Sequence, residues 1–254
     1  MSKVKRKKIG KRLLLVLAAI VVICAGFAAS SLLTKRPAAE AMAVYQEAFD
    51  ATVIREEADG AVTISPRADP RKTGIIFYVG AQITPDAYTP LLAELAEAGY
   101  PCFIPKLNCN MASMEPGAAR EIIRDHPEIL RWYIAGHSMG GLTASGFATD
   151  HPDEVQGLIL LAAYTNRDLT GTALPVLSIY GDADGVLNQE LYEKRLCWYP
   201  ENFEEYVIEG GNHAQYGDYG KQPRDKEATV SAQEQRKQTA EFILDWLDRH
   251  EPNG

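Results

Sequence analysis

The chain has 254 residues, of which 46% are apolar and 24% charged, a composition typical of a globular protein with one substantial core. The formal net charge is -8; seven of the 26 basic residues lie within residues 3–12, which leaves 19 basic against 34 acidic residues elsewhere. A body this acidic would repel a phosphate backbone, so we expect no nucleic-acid partner.

The N-terminal part of the chain has the pattern of a membrane segment. Residues 1–12 form a basic tail, and the apolar stretch Leu13–Leu33 contains no charged residue. As a helix rising about 1.5 Å per residue, this stretch would span a hydrocarbon core of about 30 Å. The basic tail predicts a cytoplasmic N-terminus and a single-pass anchor in the cell membrane, with the remaining chain outside. The alternative is a signal peptide, cleaved near the small residues Ala28–Ser31, and a secreted protein.

A stalk or short helix is expected over residues 34–50, and strands then alternate with helices through residues 51–254. Short apolar runs predict buried strands, and apolar residues at helical spacing predict helices. The predicted strands are Ala51–Glu56, Ala61–Ser65, Gly74–Val79, Cys102–Pro105, Trp132–Ala135, Val155–Ala162, Pro175–Tyr180 and Phe203–Ile208, and the predicted helices are Tyr88–Ala98, Ala118–Arg124, Met139–Asp150, Asn188–Leu196 and Ser231–His250. This alternation predicts one α/β domain with a mostly parallel sheet flanked by helices.

The turn before the third predicted helix reads Gly136-His137-Ser138-Met139-Gly140, a G-x-S-x-G motif. Strand, sharp turn and helix follow one another in this way in a nucleophile elbow, whose serine has a strained backbone. Side chains at Gly136 and Gly140 would collide across so tight a turn. The motif therefore predicts Ser138 as a nucleophile, with the first N–H groups of a helix directed at it. We interpret His137 as a residue that packs against or supports the site.

A serine nucleophile needs a base, usually a histidine that a carboxylate orients. His213 is the candidate base because it lies in a polar loop after the last strand, and loops at the carboxyl ends of parallel strands converge. The acid is expected after the strand Pro175–Tyr180. We favour Asp184 over Asp182, because its greater distance from the strand lets the loop turn back; Asp182 would then brace the turn.

The oxyanion of an acyl-transfer reaction is stabilised by two backbone N–H groups. One candidate is Met139, directly after the nucleophile. The other lies in the loop that follows the strand Gly74–Val79, where Ala81 and Gln82 are both possible donors. No Cys or His spacing is typical of a metal site, and we expect neither a metal nor an organic cofactor.

Three cysteines lie outside the apolar segment, at positions 102, 109 and 197. We interpret them as buried or half-buried thiols. A Cys102–Cys109 disulfide is the alternative, because an exported protein meets an oxidising compartment.

Four motifs in this order resemble those of the α/β-hydrolase superfamily, and more narrowly its small, lidless serine-hydrolase branch related to dienelactone hydrolases. They are Phe77–Gly80, Gly136–Gly141, Gly181–Gly185 and Gly210–Gly217, within a resemblance that runs from about Gly74 to the C-terminus. The resemblance implies Ser138 as nucleophile, Asp184 as acid and His213 as base. The chain departs from the family at Val79-Gly80, where His-Gly or Pro-Gly is usual. Dienelactone hydrolases have a cysteine in place of Ser138, so their lactone substrate is not carried over.

We therefore expect an extracytoplasmic serine hydrolase that cleaves an ester, thioester or amide bond of a small-molecule acyl substrate. The short interval Tyr164–Leu174 leaves little room for a lid over the site. Two alternatives keep the same fold: an acyltransferase with the same triad, and a catalytically silent binding module.

Overall fold

The computed structural model describes residues 34–37, 45, 49, 51–58 and 60–251. The predicted basic tail and membrane segment lie outside the described residues, as does most of the predicted stalk. No helix within the described ranges has the length and apolar character needed to cross a membrane. From Lys35 onward the chain forms one compact unit.

A mostly parallel sheet of eight strands lies at the centre of the described part of the chain. Its spatial order is β1-β2-β4-β3-β5-β6-β7-β8; β1 pairs with β2 and β2 with β4 in antiparallel fashion, and all other pairs are parallel. The strands are β1 (Val53–Glu57), β2 (Ala61–Pro66), β3 (Thr73–Tyr78), β4 (Cys102–Pro105), β5 (Arg131–His137), β6 (Gly157–Leu161), β7 (Val176–Gly181) and β8 (Phe203–Ile208).

Helices cover the sheet. They are α1 (Thr89–Glu97), α2 (Ala118–Asp125), α3 (Met139–Asp150), α4 (Gln189–Arg195) and α5 (Ala232–His250). The start of α5 follows from its sequence, because the Ser231 side chain accepts a hydrogen bond from the Glu234 N–H, the geometry of a Ser-x-x-Glu cap. The Asn188 side chain caps α4 in the same way, by accepting from the Leu191 N–H.

The predicted α/β fold is confirmed, and the ends of the predicted elements differ from those observed by two residues or fewer. Strands β3, β4 and β6 are buried along their whole length. This burial on both faces explains why they read as continuous apolar runs. In contrast, β8 at the edge of the sheet has exposed positions, among them Val207.

The Cys102–Cys109 disulfide does not form, because all three cysteines in the described residues are free thiols. Cys102 is fully buried in β4, and this burial raises the pKa of its thiol.

The fold brings the carboxyl ends of the parallel strands together. The carboxyl ends of β3, β5, β6, β7 and β8 lie along the same edge of the sheet, and the loops that carry the candidate residues leave from there. The connection from β6 to β7, residues 162–175, contains neither helix nor strand. No helical lid is therefore inserted at that point of the chain.

Candidate active site

Ser138 occupies the turn between β5 and α3 with φ 54° and ψ -121°. A residue other than glycine rarely adopts a positive φ, and such strain costs about 1–3 kcal/mol. Two backbone hydrogen bonds hold the turn: the Ser138 N–H donates to the Leu161 carbonyl at 2.9 Å, and the Gly141 N–H donates to the Ser138 carbonyl at 3.0 Å. Ser138 is partly exposed, so its hydroxyl can be reached from outside.

The two glycines of the motif are required by close backbone contacts. A Cβ atom at Gly140 would lie 2.1 Å from the Tyr78 carbonyl oxygen, and one at Gly136 would lie 2.4 Å from the Gly140 carbonyl carbon and oxygen. Both distances are far below van der Waals contact. Glycine at these positions therefore allows the start of α3 to pack directly on the ends of β3 and β5.

Asp184 and His213 form a buried pair at the ends of β7 and β8. The Asp184 Oδ2 atom lies 2.8 Å from the His213 Nδ1 atom, and the two residues are only 4% and 1% exposed. The other carboxylate oxygen, Oδ1, accepts N–H groups from Val186 and Leu187, each at 2.7 Å. Because an ionised carboxylate can only accept, Nδ1 of His213 must carry its proton, and in the neutral ring Nε2 is left with a lone pair.

The structure brings Asp184 to His213 and keeps Asp182 away from it. Asp182 instead accepts a hydrogen bond from the Gly210 N–H at 2.7 Å, which ties the acid loop to the turn that precedes His213. A further contact fixes the same two loops, because a Cβ at Gly181 would lie 2.1 Å from the Gly211 carbonyl oxygen. The glycines of the two loops therefore allow the carboxylate and the imidazole to approach each other.

The Nε2 atom of His213 is buried and has no hydrogen-bond partner among the residues that the structure describes, Ser138 included. The two side chains follow the ends of β8 and β5, at the same edge of the sheet. In unliganded enzymes the hydrogen bond between nucleophile and base is often long and tightens when substrate binds. An unpartnered basic nitrogen at this edge is the arrangement that such a step needs.

His137 is fully buried and joins the loops on both sides of the site. Its Nδ1 atom lies 2.8 Å from the Tyr88 hydroxyl, and its Nε2 atom lies 3.1 Å from the His213 carbonyl oxygen. The Tyr88 hydroxyl also accepts the Gly80 N–H, at 3.0 Å. Burial keeps the pKa of His137 well below its usual value, so the ring is neutral. A neutral ring donates from Nε2 to the carbonyl and accepts at Nδ1 from Tyr88, which completes a hydrogen-bond chain from Gly80 to His213.

The loop after β3 contains two candidate oxyanion donors, Ala81 and Gln82, and their N–H groups differ in their hydrogen bonds. The Gln82 N–H is already engaged, because it donates to the Asn110 carbonyl oxygen at 2.9 Å, and the Gly80 N–H is used by Tyr88 as described above. The Ala81 N–H, by contrast, has no acceptor within the described part of the chain. At the start of α3, the Met139 N–H has no intrahelical acceptor, as for every first-turn residue of a helix. Ala81 and Met139 are therefore the available pair of donors.

Two residues that the sequence analysis did not single out support the base loop. Asp225 accepts N–H groups from Gly185 at 3.1 Å, His213 at 3.2 Å and Ala214 at 2.8 Å. It lies in a polar, charged segment without a motif, so the sequence gives no signal for it.

Gln235, the second of these residues, is fully buried in α5. Its Oε1 atom accepts the Asn212 N–H at 2.9 Å, and its Nε2 atom donates to the Asn212 carbonyl at 2.7 Å. Gln235 is spaced four residues from the buried Thr239, which is itself four residues from the buried Ile243. A polar residue in this stripe of buried positions was the available signal for a supporting role.

Within the described ranges, no group of three or more His, Cys, Asp or Glu side chains could hold a metal ion.

Comparison with known proteins identifies the family of the fold. The model of the alpha/beta hydrolase family matches residues 74–237 of the chain, which include Ser138, Asp184 and His213. No curated protein matches.

Solved structures share the fold at low sequence identity. A predicted CIB-like hydrolase from Thermoplasma acidophilum is 18% identical, with a TM-score of 0.55 over 76% of this chain and 98% of its own. An alpha/beta hydrolase from a sediment metagenome of the Mar Chica lagoon, Morocco, is 17% identical, with a TM-score of 0.56 over 77% of this chain and 98% of its own. An esterase from Mycobacterium tuberculosis is 14% identical, with a TM-score of 0.57 over 82% of this chain and 96% of its own.

Proposed function

Since the chain belongs to the alpha/beta hydrolase family, we propose that it is a serine hydrolase that cleaves an ester or a related acyl bond through an acyl-enzyme. The observation that carries the proposal is the buried Asp184–His213 pair, which leaves the Nε2 atom of His213 without a partner at the strand edge that also carries Ser138. The hydroxyl, imidazole and carboxylate that nucleophilic acyl transfer requires thus lie in loops that follow strands ending at one edge of the sheet.

The proposed reaction begins with attack of the Ser138 hydroxyl on the acyl carbonyl carbon, while His213 Nε2 takes the hydroxyl proton. Asp184 holds the imidazole in the required tautomer and stabilises the imidazolium that forms. The N–H groups of Met139 and Ala81 donate to the tetrahedral oxyanion, and each such donor is worth roughly a hundredfold in rate. The imidazolium then protonates the leaving group. A water molecule, activated by the same His213, releases the acyl group from Ser138.

The substrate we propose is a small or flexible acyl compound. This proposal rests on the β6–β7 connection, which contributes no helix above the site. It agrees with the resemblance to small, lidless hydrolases of the dienelactone-hydrolase type, a branch that we propose on the four sequence motifs. The mechanism uses only side chains and backbone groups of this chain, and we propose no cofactor.

We further propose that the domain acts outside the cytoplasm, anchored by the apolar segment Leu13–Leu33 or secreted after its cleavage. The support is the sequence alone: seven basic residues lie within residues 3–12, directly before a stretch without charge. Protease treatment of intact cells tests this proposal. Degradation of the domain without lysis supports it, whereas protection until lysis contradicts it.

A fluorophosphonate probe tests the proposed chemistry, because it forms a covalent bond only with an activated serine. The full-length protein in detergent should be labelled, and Ser138→Ala should not be. Ser145→Ala is the matched control: this serine lies in α3, the helix that follows Ser138, and its hydroxyl is bonded to Leu142 and Asn166. That variant should be labelled like the wild type.

Hydrolysis of p-nitrophenyl esters of graded acyl length then defines the substrate range. Turnover that Ser138→Ala abolishes supports the hydrolase. A folded wild type that is neither labelled nor active would instead support a catalytically silent binding module. Transfer of the acyl group to an added alcohol in preference to water would favour the acyltransferase.

A further inference from the structure

Lys35 is tied by its backbone to the loop that follows β3. The Lys35 N–H donates to the Gln82 carbonyl at 2.7 Å, and the Thr84 N–H donates to the Lys35 carbonyl at 3.0 Å. These two bonds lie on either side of Ile83 and form an isolated parallel β-bridge. We call this pair of hydrogen bonds the Lys35 bridge.

The loop needs an external restraint because its backbone is unfavourable. Gln82 has a φ of 57°, a conformation that residues other than glycine rarely adopt. Its N–H is fixed by the Asn110 carbonyl and its carbonyl by the Lys35 N–H. Both polar backbone groups of Gln82 are therefore restrained from outside the loop. The peptide between Gln82 and Ile83, whose carbonyl accepts the Lys35 N–H, donates its own N–H to the Gly80 carbonyl at 3.2 Å. The Ala81 N–H belongs to the same peptide as that Gly80 carbonyl, so its direction follows from the restraint.

The Lys35 side chain ties the bridge to a second loop. Its Nζ atom donates to the Gln222 side chain at 2.7 Å and lies 4.9 Å from the centre of the Tyr219 ring. Both partners belong to the segment between His213 and Asp225, which supports the base. The following residues favour the same arrangement, since Pro37 disfavours a helical conformation at Arg36 and keeps the chain extended.

We propose that Lys35 is a positioning residue that holds Gln82 in its left-handed conformation and so directs the Ala81 N–H at the developing oxyanion. This proposal rests on the proposed hydrolase function. The Lys35 bridge should affect only the transition state, because the oxyanion forms after the substrate binds. Loss of the bridge should therefore lower kcat and leave KM nearly unchanged.

The test is Lys35→Pro in the full-length protein, which removes the N–H that donates to Gln82. We expect kcat for p-nitrophenyl acetate to fall about tenfold, the effect of one lost restraint on an oxyanion donor, with KM within twofold. The matched control is Arg36→Pro, which places the same ring one residue later, where no hydrogen bond of the N–H is seen in the described chain. That variant should retain kcat within twofold. Active sites are counted by fluorophosphonate titration, so that kcat refers to folded enzyme only.

A rescue variant separates positioning from a general loss of structure. Glycine adopts a positive φ without strain, so adding Gln82→Gly to Lys35→Pro should restore part of the lost kcat. If Lys35→Pro does not fold, Pro37→Gly loosens the segment instead, and we expect a fall in kcat of about threefold at constant KM. Unchanged kcat in Lys35→Pro would overturn the proposal, and so would unchanged kcat in Pro37→Gly where Lys35→Pro does not fold. A loss of kcat/KM that comes from a raised KM alone would overturn it too. Each of these results would leave a labelled wild-type hydrolase intact. A wild type without label or turnover would overturn the proposed function, and the role of Lys35 with it.

Discussion

In the proposed mechanism, replacing Gly140 with alanine should lower turnover by moving one proposed oxyanion donor relative to the other. The added Cβ would lie 2.1 Å from the Tyr78 carbonyl oxygen and 2.5 Å from the Val79 carbonyl oxygen. Both oxygens belong to backbone at the end of β3, which leads directly into the loop that carries Ala81. The contact cannot be relieved by a rotating side chain, so α3 and the end of β3 must separate.

The size of the effect follows from that distance. An ordinary contact of about 3.5 Å requires a displacement of more than roughly 1 Å, and misplacement of about 1 Å at a reacting centre costs about a hundredfold in rate. The loss of one oxyanion donor gives the same estimate. The crowding itself should lower the free energy of unfolding by about 1–3 kcal/mol. We therefore expect Gly140→Ala to lower kcat/KM for p-nitrophenyl esters about a hundredfold, measured on protein that circular dichroism shows to be folded.

Gly146→Ala is the matched control in the same helix. A Cβ there meets only the Asn166 side-chain oxygen, at 3.8 Å, which is an ordinary contact. Alanine is the better helix former, so this variant should gain about 0.5–1 kcal/mol of stability in urea unfolding and keep its activity. The reasoning is refuted if Gly140→Ala keeps kcat/KM within threefold of the wild type, or if Gly146→Ala loses as much activity as Gly140→Ala.

Three further predictions concern the acid, its neighbour and the buried rings. Asp184→Asn should lower kcat by about a thousandfold, because an amide N–H facing His213 Nδ1 favours the wrong tautomer. Asp182→Asn keeps an acceptor for its hydrogen bond, so its kcat should fall less than fivefold. Equal losses of kcat in the two variants would contradict the assignment of Asp184 as the acid. Asp225→Ala removes an acceptor from four backbone N–H groups and should lower the free energy of unfolding by about 2–3 kcal/mol in urea titration, with Asp225→Asn losing about half as much. The buried, neutral His137 takes up a proton on unfolding below its unfolded pKa of about 6.5, so stability is full above that pH and falls by about 1.4 kcal/mol between pH 7.5 and 5.5. His137→Gln should lack this part of the pH dependence, and an unchanged slope would show that the ring does not contribute it.

The sequence was sufficient for the fold because its strands β3, β4 and β6 are buried on both faces. Continuous apolar runs such as Gly157–Leu161 have few other interpretations when they alternate with amphipathic helices. The turn at Ser138 could also be predicted from the sequence, since only glycine tolerates the backbone contacts seen at Gly136 and Gly140. These features are local, and local patterns can be read from one chain.

The supporting contacts could not be predicted in the same way because they join distant parts of the chain. Asp225 contacts the loop of Asp184 across 40 residues, and Lys35 reaches Gln222 across 187. The choice between Ala81 and Gln82 as oxyanion donor also depended on a partner, the Asn110 carbonyl, that the sequence does not place near them. Long-range hydrogen bonds of this kind carry no spacing that a single sequence reveals.

The Lys35 bridge has a consequence for how the protein can be matured. The small residues at 28–31, where a signal peptidase would cut, end four residues before Lys35. Cleavage there would remove most of the apolar segment and keep Lys35, so we expect the shed form to retain the bridge. Trimming that continued through Lys35 would remove the bridge, and on the proposed role of Lys35 it would lower turnover while Ser138, Asp184 and His213 stay intact.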